Sequence, residues 1–256
     1  MNFFAASARS AVGLVRTGNE DSALISDRLV AVADGMGGHA AGEVASKIAI
    51  TELSHLIPVL SSKEIDTDSA DDIFSQSLEL INAAIKSAVS DSPELTGMGT
   101  TLTAALLRED SLALLHIGDS RAYRLRGNSL EQLSVDHTVI QELLHQGAIT
   151  EAEVANHPQR SVLTQVLMGE REQEAVIQVV DVKAKDRFLL CSDGLSSVLS
   201  EKEIKTLIKG KDRVTAIDAL IDATYINGAP DNVTVVIADI TESSNNEKIE
   251  AIGAAQ

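Results

Sequence analysis

Four short apolar runs in this 256-residue chain either stop at an aspartate or start from one. Leu29-Val30-Ala31-Val32-Ala33 runs into Asp34-Gly35, and Leu114-Leu115-His116-Ile117-Gly118 runs into Asp119-Ser120. Phe188-Leu189-Leu190-Cys191-Ser192 runs into Asp193-Gly194, while Asp231-Asn232 opens Val233–Ile240. A further acidic block, Asn19-Glu20-Asp21, sits just before Ser22–Ser26. Short apolar runs bounded by turn residues read as buried strands. Asp-Gly and Asp-Asn are ordinary turn dipeptides, and for any one of them alone the turn reading suffices. Together they put several carboxylates at the rim of a core, where they repel unless cations neutralise them. Hard divalent ions such as Mg²⁺ or Mn²⁺ choose oxygen ligands of this kind.

The rest of the pattern mixes hairpins with long helices. Thr101–Leu107 and Leu112–Ile117, separated by the polar Arg108-Glu109-Asp110-Ser111, suit an antiparallel pair. A second hairpin is expected around Gly127-Asn128. Asp71–Ser90 carries Phe74, Leu78, Ile81, Ile85 and Ala88 on one stripe, and Ala40–Leu56 carries Ala45, Ala49, Leu53 and Leu56. Ser200 with Glu203 and Thr150 with Glu153 match capping boxes. Asp212 is expected to open another helix, with Val214, Ile217, Ile221 and Thr224 on its buried side. Val135–Met168 is partly helical but interrupted at Gly147 and Pro158, as an inserted flap would be. Residues 1–241 read as one domain, and Glu242 to Gln256 as a flexible tail.

Charge narrows the partners. Lys and Arg number 21 against 38 Asp and Glu, a net of −17. Such a chain repels a nucleic-acid backbone or an anionic membrane, and its 2% aromatic content offers little base stacking. No run of about 18 apolar residues is present to span a bilayer. The single cysteine, Cys191, excludes an internal disulfide and suits a reducing, cytoplasmic compartment.

Several alternatives fail on spacing. Gly35-x-Gly37-x-x-Ala40 superficially fits a dinucleotide fingerprint, but the acid about 20 residues on must end a second strand. Here the corresponding Glu52 lies within the helical pattern. Ser197 stands six residues beyond Cys191, where a cysteine-phosphatase loop needs arginine. No P-loop, HExxH or EF-hand pattern occurs.

Six blocks, in order, carry a resemblance. They are Val15-Arg16-Thr17-Gly18-Asn19-Glu20-Asp21, Val32-Ala33-Asp34-Gly35-Met36-Gly37-Gly38-His39, Gly97-Met98-Gly99-Thr100-Thr101, Gly118-Asp119-Ser120-Arg121, Leu190-Cys191-Ser192-Asp193-Gly194-Leu195 and Ala229-Pro230-Asp231-Asn232-Val233-Thr234. With them the chain resembles the metal-dependent protein phosphatases, also called protein phosphatase 2C, in their compact bacterial form. The resemblance implies an α+β fold, a four-layer α-β-β-α sandwich of two antiparallel sheets flanked by helices. It implies two Mg²⁺ or Mn²⁺ ions bridged by Asp34, with Asp193 and Asp231 completing one site and the Gly35 carbonyl and Glu20 serving the other. Asp21 would be a direct or supporting ligand, and Asp119 would help hold a third, weaker ion. Arg16 matches the arginine that grips the substrate phosphate. Residues 139–167 correspond to the flap beside the site. Animal members carry histidine two residues after the bridging aspartate, where Met36 stands here; His39 is the proton-donor candidate in its place.

The implied activity is hydrolysis of phosphoserine and phosphothreonine on proteins by direct attack of a metal-bridging water. Its partners would be phosphoproteins made by a Ser/Thr kinase, and the enzyme a monomer. One arginine plus the ions would reverse the field locally in an acidic protein. A non-catalytic phosphoprotein-binding member of the same fold is the alternative; it should lack a metal aspartate, and Asp34, Asp193 and Asp231 are all present. A purely structural cation site is a third reading, against which Arg16 speaks.

Overall fold

Along the strand Val233–Thr241, Val233, Val235 and Ile237 face one way and Val236, Ala238 and Ile240 the other, and all six are buried. A strand that is apolar on both faces needs a layer on each side. The computed structural model supplies them, describing residues 2–37, 41–60, 70–154, 157–169, 176–243 and 249–256. With strands numbered in chain order, one sheet runs β1 (Phe3–Ala11), β11 (Val233–Thr241), β10 (Arg187–Cys191), β7 (Arg121–Arg126), β8 (Ser129–Gln132). The other runs β12 (Glu250–Gly253), β2 (Asp21–Ile25), β3 (Leu29–Met36), β5 (Leu102–Leu107), β6 (Ser111–Ile117), β9 (Ile177–Asp181), with the short β4 (Gly99–Thr100) on the end of β3. Every pairing is antiparallel.

Three apolar layers result. Phe4, Val30, Val32, Leu114, Phe188, Leu190 and Val236 fill the space between the sheets, with Phe4 and Phe188 edge-to-face at 6.3 Å between centroids. The helix α1 (Ala41–Ser54), the short α2 (Ile57–Leu60) and α3 (Ala70–Asp91) contribute buried residues to the layer over the larger sheet, including the expected Ala45, Ala49, Leu53, Phe74, Leu78, Ile81 and Ile85. After α4 (Val139–His145) and α5 (Glu151–Val154), helices α6 (Asp193–Ser196), α7 (Glu201–Ile208) and α8 (Arg213–Ile226) cover the smaller sheet. This is the α+β sandwich of antiparallel sheets that the resemblance implies.

Helix starts follow local chemistry. Ser200 and Glu203 form a reciprocal capping box at α7, and the Asp212 carboxylate accepts the Thr215 N–H at α8. At α5 the expected box is one-sided: the Thr150 N–H and hydroxyl both donate to Glu153, and the helix lasts four residues. Val214 is 60% exposed rather than buried, because α8 turns Ala216, Ile217, Leu220, Ile221 and Thr224 toward its sheet.

The C-terminal expectation needs correction. Residues 250–253 are not a loose tail but the edge strand β12, pairing Ile252 with Ala23 and Gly253 with Ser22. Ile252 is 7% exposed in the layer between the sheets. With Ile252 as the one large apolar residue of Glu250-Ala251-Ile252-Gly253, the strand shows no periodicity, so the segment is specified by the open edge of β2 that it covers. Strand β1 is hidden in the sequence for a similar reason, since its Ala and Ser residues alternate poorly.

The interval expected to form the flap is tied down at both ends. The His137 N–H donates to the Gly118 carbonyl at 2.8 Å, and Thr100 and Leu167 exchange backbone hydrogen bonds at 2.9 and 3.0 Å. Both stems therefore anchor beside the aspartate-bearing turns.

Candidate metal centre

Strand register creates the site. Asp21 opens β2 directly opposite Asp34 on β3, and residues opposed across a ladder point to the same face. By alternation from Val32 and Ala23, that face is the one between the sheets. From the facing sheet, Ser192 and Thr234 follow β10 and enter β11 at the same rim. The backbone turns into Asp193 on one side and out of Asp231 on the other, while Asp119 follows β6.

Asp21 is 1% exposed, with Asp34, Asp119, Asp193 and Asp231 partly accessible around it. The Ser192 hydroxyl donates to the Asp21 carboxylate at 2.7 Å, and Thr234 adds a second side-chain hydrogen bond. Asn19 extends this network by accepting the Asp21 N–H at 3.2 Å and donating to Ser10, whose hydroxyl meets Thr234 at 2.7 Å. The Asp34 backbone is clamped from β4 and β5: its N–H donates to the Thr101 hydroxyl at 3.0 Å, and its carbonyl accepts from Thr100 and Thr101.

The electrostatics are those of anions crowded in a dry place. Burial, and then Asp21, Asp193, Asp119 and Asp231, hold the Asp34 carboxyl well above the usual range. Burial pushes Asp119 up to about 7, with Asp193 and Asp136 adding to it. Asp21 rises to about 7 from burial, against the pull of its two hydroxyl partners. Asp193 is raised by burial and by Asp231, but held back by a hydrogen bond from Asp34. Among the described residues no three His, Cys, Asp or Glu side chains converge as a closed ligand set. Like charges do not close up by themselves, and Asp231 is drawn aside by Arg16, whose guanidinium donates to it at 2.7 Å. The hard oxygen donors and uncompensated negative charge still fit divalent cations.

Glycines bring the backbone close. A Cβ on Gly35 would strike the carbonyls of Gly42 and Glu20, and one on Gly194 would strike the carbonyl of Asn232. Arg16, Glu20 and Glu43 line a cavity of about 400 Å³ beside the rim. His39 lies outside the described residues. The remaining candidates, Arg16, Glu20, Asp21, Asp34, Gly35, Asp119, Asp193 and Asp231, come together on one side of the sandwich rim.

Several positioning residues escaped the sequence reading. The Asn232 amide accepts the Glu20 N–H and donates to the carbonyls of Val12 and Gly18, each at 2.8 Å. Arg121 grips Asp136 with bonds of 2.7 to 3.0 Å, tying β7 to the flap's first stem. Their available signal was polarity: Thr101, Ser192 and Thr234 are hydroxyls at the ends of runs otherwise apolar on both faces.

The family model for protein phosphatase 2C matches residues 18–223. The serine/threonine protein phosphatase PstP of Mycobacterium tuberculosis is 44% identical over 238 residues, covering 92% of this chain. The present chain spans only 45% of that relative's length. A serine/threonine phosphatase of Listeria welshimeri is 35% identical, covering 89% of this chain and 92% of its own. The crystal structure of the PstP catalytic domain in complex with 2 manganese ions superposes with a TM-score of 0.86 at 40% identity, covering 94% of this chain and all of the other. A buried aspartate rim on a two-sheet sandwich, together with this similarity over most of the chain, makes the protein a member of the protein phosphatase 2C family.

Proposed function

We propose that this protein hydrolyses phosphoserine and phosphothreonine on proteins, using two Mg²⁺ or Mn²⁺ ions at the aspartate rim. The carrying observation is that Asp21 and Asp34 stand opposite one another at the rim, with Asp119, Asp193 and Asp231 near enough to raise the Asp34 carboxyl, and that the part-exposed Arg16 reaches Asp231 from the edge. Asp34, Asp193 and Asp231, with Glu20 and the Gly35 carbonyl, would hold the ions, and Asp119 would hold a third. Bound there, such ions supply Lewis acidity and lower the pKa of water toward neutrality.

The chain's own groups do the rest. Arg16 presents a planar fork suited to two phosphate oxygens, and its present bond to Asp231 parks it at the site edge. Asn232 fixes the loop on which Arg16 and Glu20 ride. Buried Asp21 acts through its hydroxyl network, keeping Asp34 and Ser192 in register. His39 is the candidate proton donor to the departing serine or threonine oxygen. Substrates would be products of a Ser/Thr kinase; the disulfide-free, acidic chain suits the cytoplasm. Among the described residues no helix is long and apolar enough to cross a membrane.

Purified protein should release phosphate from a phosphothreonine peptide with Mn²⁺ and stop on addition of chelator. Asp193→Asn should lower kcat/KM by more than about a hundredfold while the far-ultraviolet dichroism is kept. Turnover by this variant within a few fold of the parent removes Asp193 from the ligand set.

A further inference from the structure

The segment leading into Arg16 carries three aliphatic side chains in the open. Val12 is 36% exposed, Leu14 63% and Val15 68%. Exposed aliphatics scattered singly need no explanation, and Val162, Val176 and Ile226 elsewhere are of that kind. Residues 12–15 differ because their backbone is pinned. The Leu14 N–H donates to the Ala229 carbonyl at 2.8 Å, the Gly13 N–H to the Tyr225 hydroxyl at 3.1 Å, and the Val12 carbonyl accepts from Asn232. Gly13 has φ of 83°, and a Cβ there would strike the Asp231 carbonyl, so the loop is pressed against the metal-site strand. Leu14, two residues before the arginine, is thus held out of the core by fixed backbone, and Val15 is exposed between the two.

We infer that Leu14 and Val15, with Val12 behind them, form an apolar ledge that receives an apolar side chain of the substrate polypeptide next to its phosphorylated residue. This rests on the phosphatase reading above. Consecutive Cα atoms lie about 3.8 Å apart, so a chain whose phosphate sits on Arg16 brings its flanking residues within reach of a ledge this near in sequence. On the other side of Arg16 the cavity is polar, walled by Thr17, Asn19, Glu20 and Glu43. In a chain of net charge −17, contact with an apolar side chain is also a source of affinity that does not depend on charge.

The test uses phosphothreonine peptides that differ by a single Leu or Ser at each of three positions on either side of the phosphothreonine, assayed with Mn²⁺. At one or more flanking positions Leu should raise kcat/KM roughly tenfold over Ser, the usual discrimination of an apolar contact. The double variant Leu14→Ser, Val15→Ser should bring that ratio to about one, whereas Leu14→Met, Val15→Ile should keep it. A ratio near one at every position in the parent protein overturns the ledge, as does a ratio that survives in the serine variant. p-Nitrophenyl phosphate separates the two levels. If it is hydrolysed while the peptide panel is flat, the ledge alone falls; if neither it nor any peptide is hydrolysed, the phosphatase reading falls and takes the ledge with it.

Discussion

Asn232 spends both ends of its amide on one loop, and this makes it the residue whose loss should spread furthest. Replacing it with Ala leaves the Glu20 N–H and the Val12 and Gly18 carbonyls without their partner. Each partly buried orphan costs on the order of 1 kcal/mol, so Asn232→Ala should lose about 3 kcal/mol in urea unfolding. Its kcat/KM should drop with it, because Arg16 and Glu20 would no longer be placed. Asn232→Asp should not rescue either quantity: a carboxylate cannot donate to two carbonyls. Stability within about 0.5 kcal/mol of the parent would show that water or loop rearrangement satisfies those groups. Asp21 shows what a sequence does and does not disclose at this scale. Its acidity and its place in Asn19-Glu20-Asp21 were legible, but its partners Ser192 and Thr234 lie 171 and 213 positions away, a separation no local pattern encodes.

At the scale of elements, periodicity located what buries an apolar face and missed what merely fills an edge. The stripes of α1 and α3 and the runs of β3, β6, β10 and β11 were readable because burial demands repeated apolar residues. Strand β12 was not: Ile252 is its one large residue in the core, only small Ala251 and Ala255 pack on the other layer, and the Ala254 N–H reaches the Asp21 carbonyl at 2.8 Å. That contact predicts a functional role for the segment. Ile252→Ala should cost about 3 kcal/mol as a buried large-to-small change. Deleting residues 243–256 should cost at least as much and also weaken Mn²⁺ binding, measured by calorimetry, because Asp21 loses its backbone neighbour. Unchanged Mn²⁺ affinity after the deletion would confine β12 to stability.

At the scale of the whole molecule, the acidic rim couples folding to pH and to metal. Asp21, Asp34, Asp119 and Asp193 all have folded pKa values above their unfolded ones, with Asp21 and Asp119 near 7. A raised acid binds more protons folded than unfolded, so its favourable term is complete below about pH 4 and disappears as pH rises through the folded value. Metal-free protein should therefore lose melting temperature between about pH 5 and 8, and Mn²⁺ should raise it most at the alkaline end. Asp34→Asn should flatten the metal-free slope; a parent protein whose Tm without metal is level or rising over that range would contradict the linkage. What the sequence determined by itself was the inventory: which segments are apolar enough to be layers, and which acids stand at their ends. Those are local properties, set by side-chain chemistry and period. Folding decided the rest, by choosing strand register and packing one sheet on the other so that Asp21 and Asp34 meet Ser192, Asp193 and Asp231. Carboxylates repel at every stage of that approach, so only the burial of the sandwich core, a property of the complete structure, can hold them together.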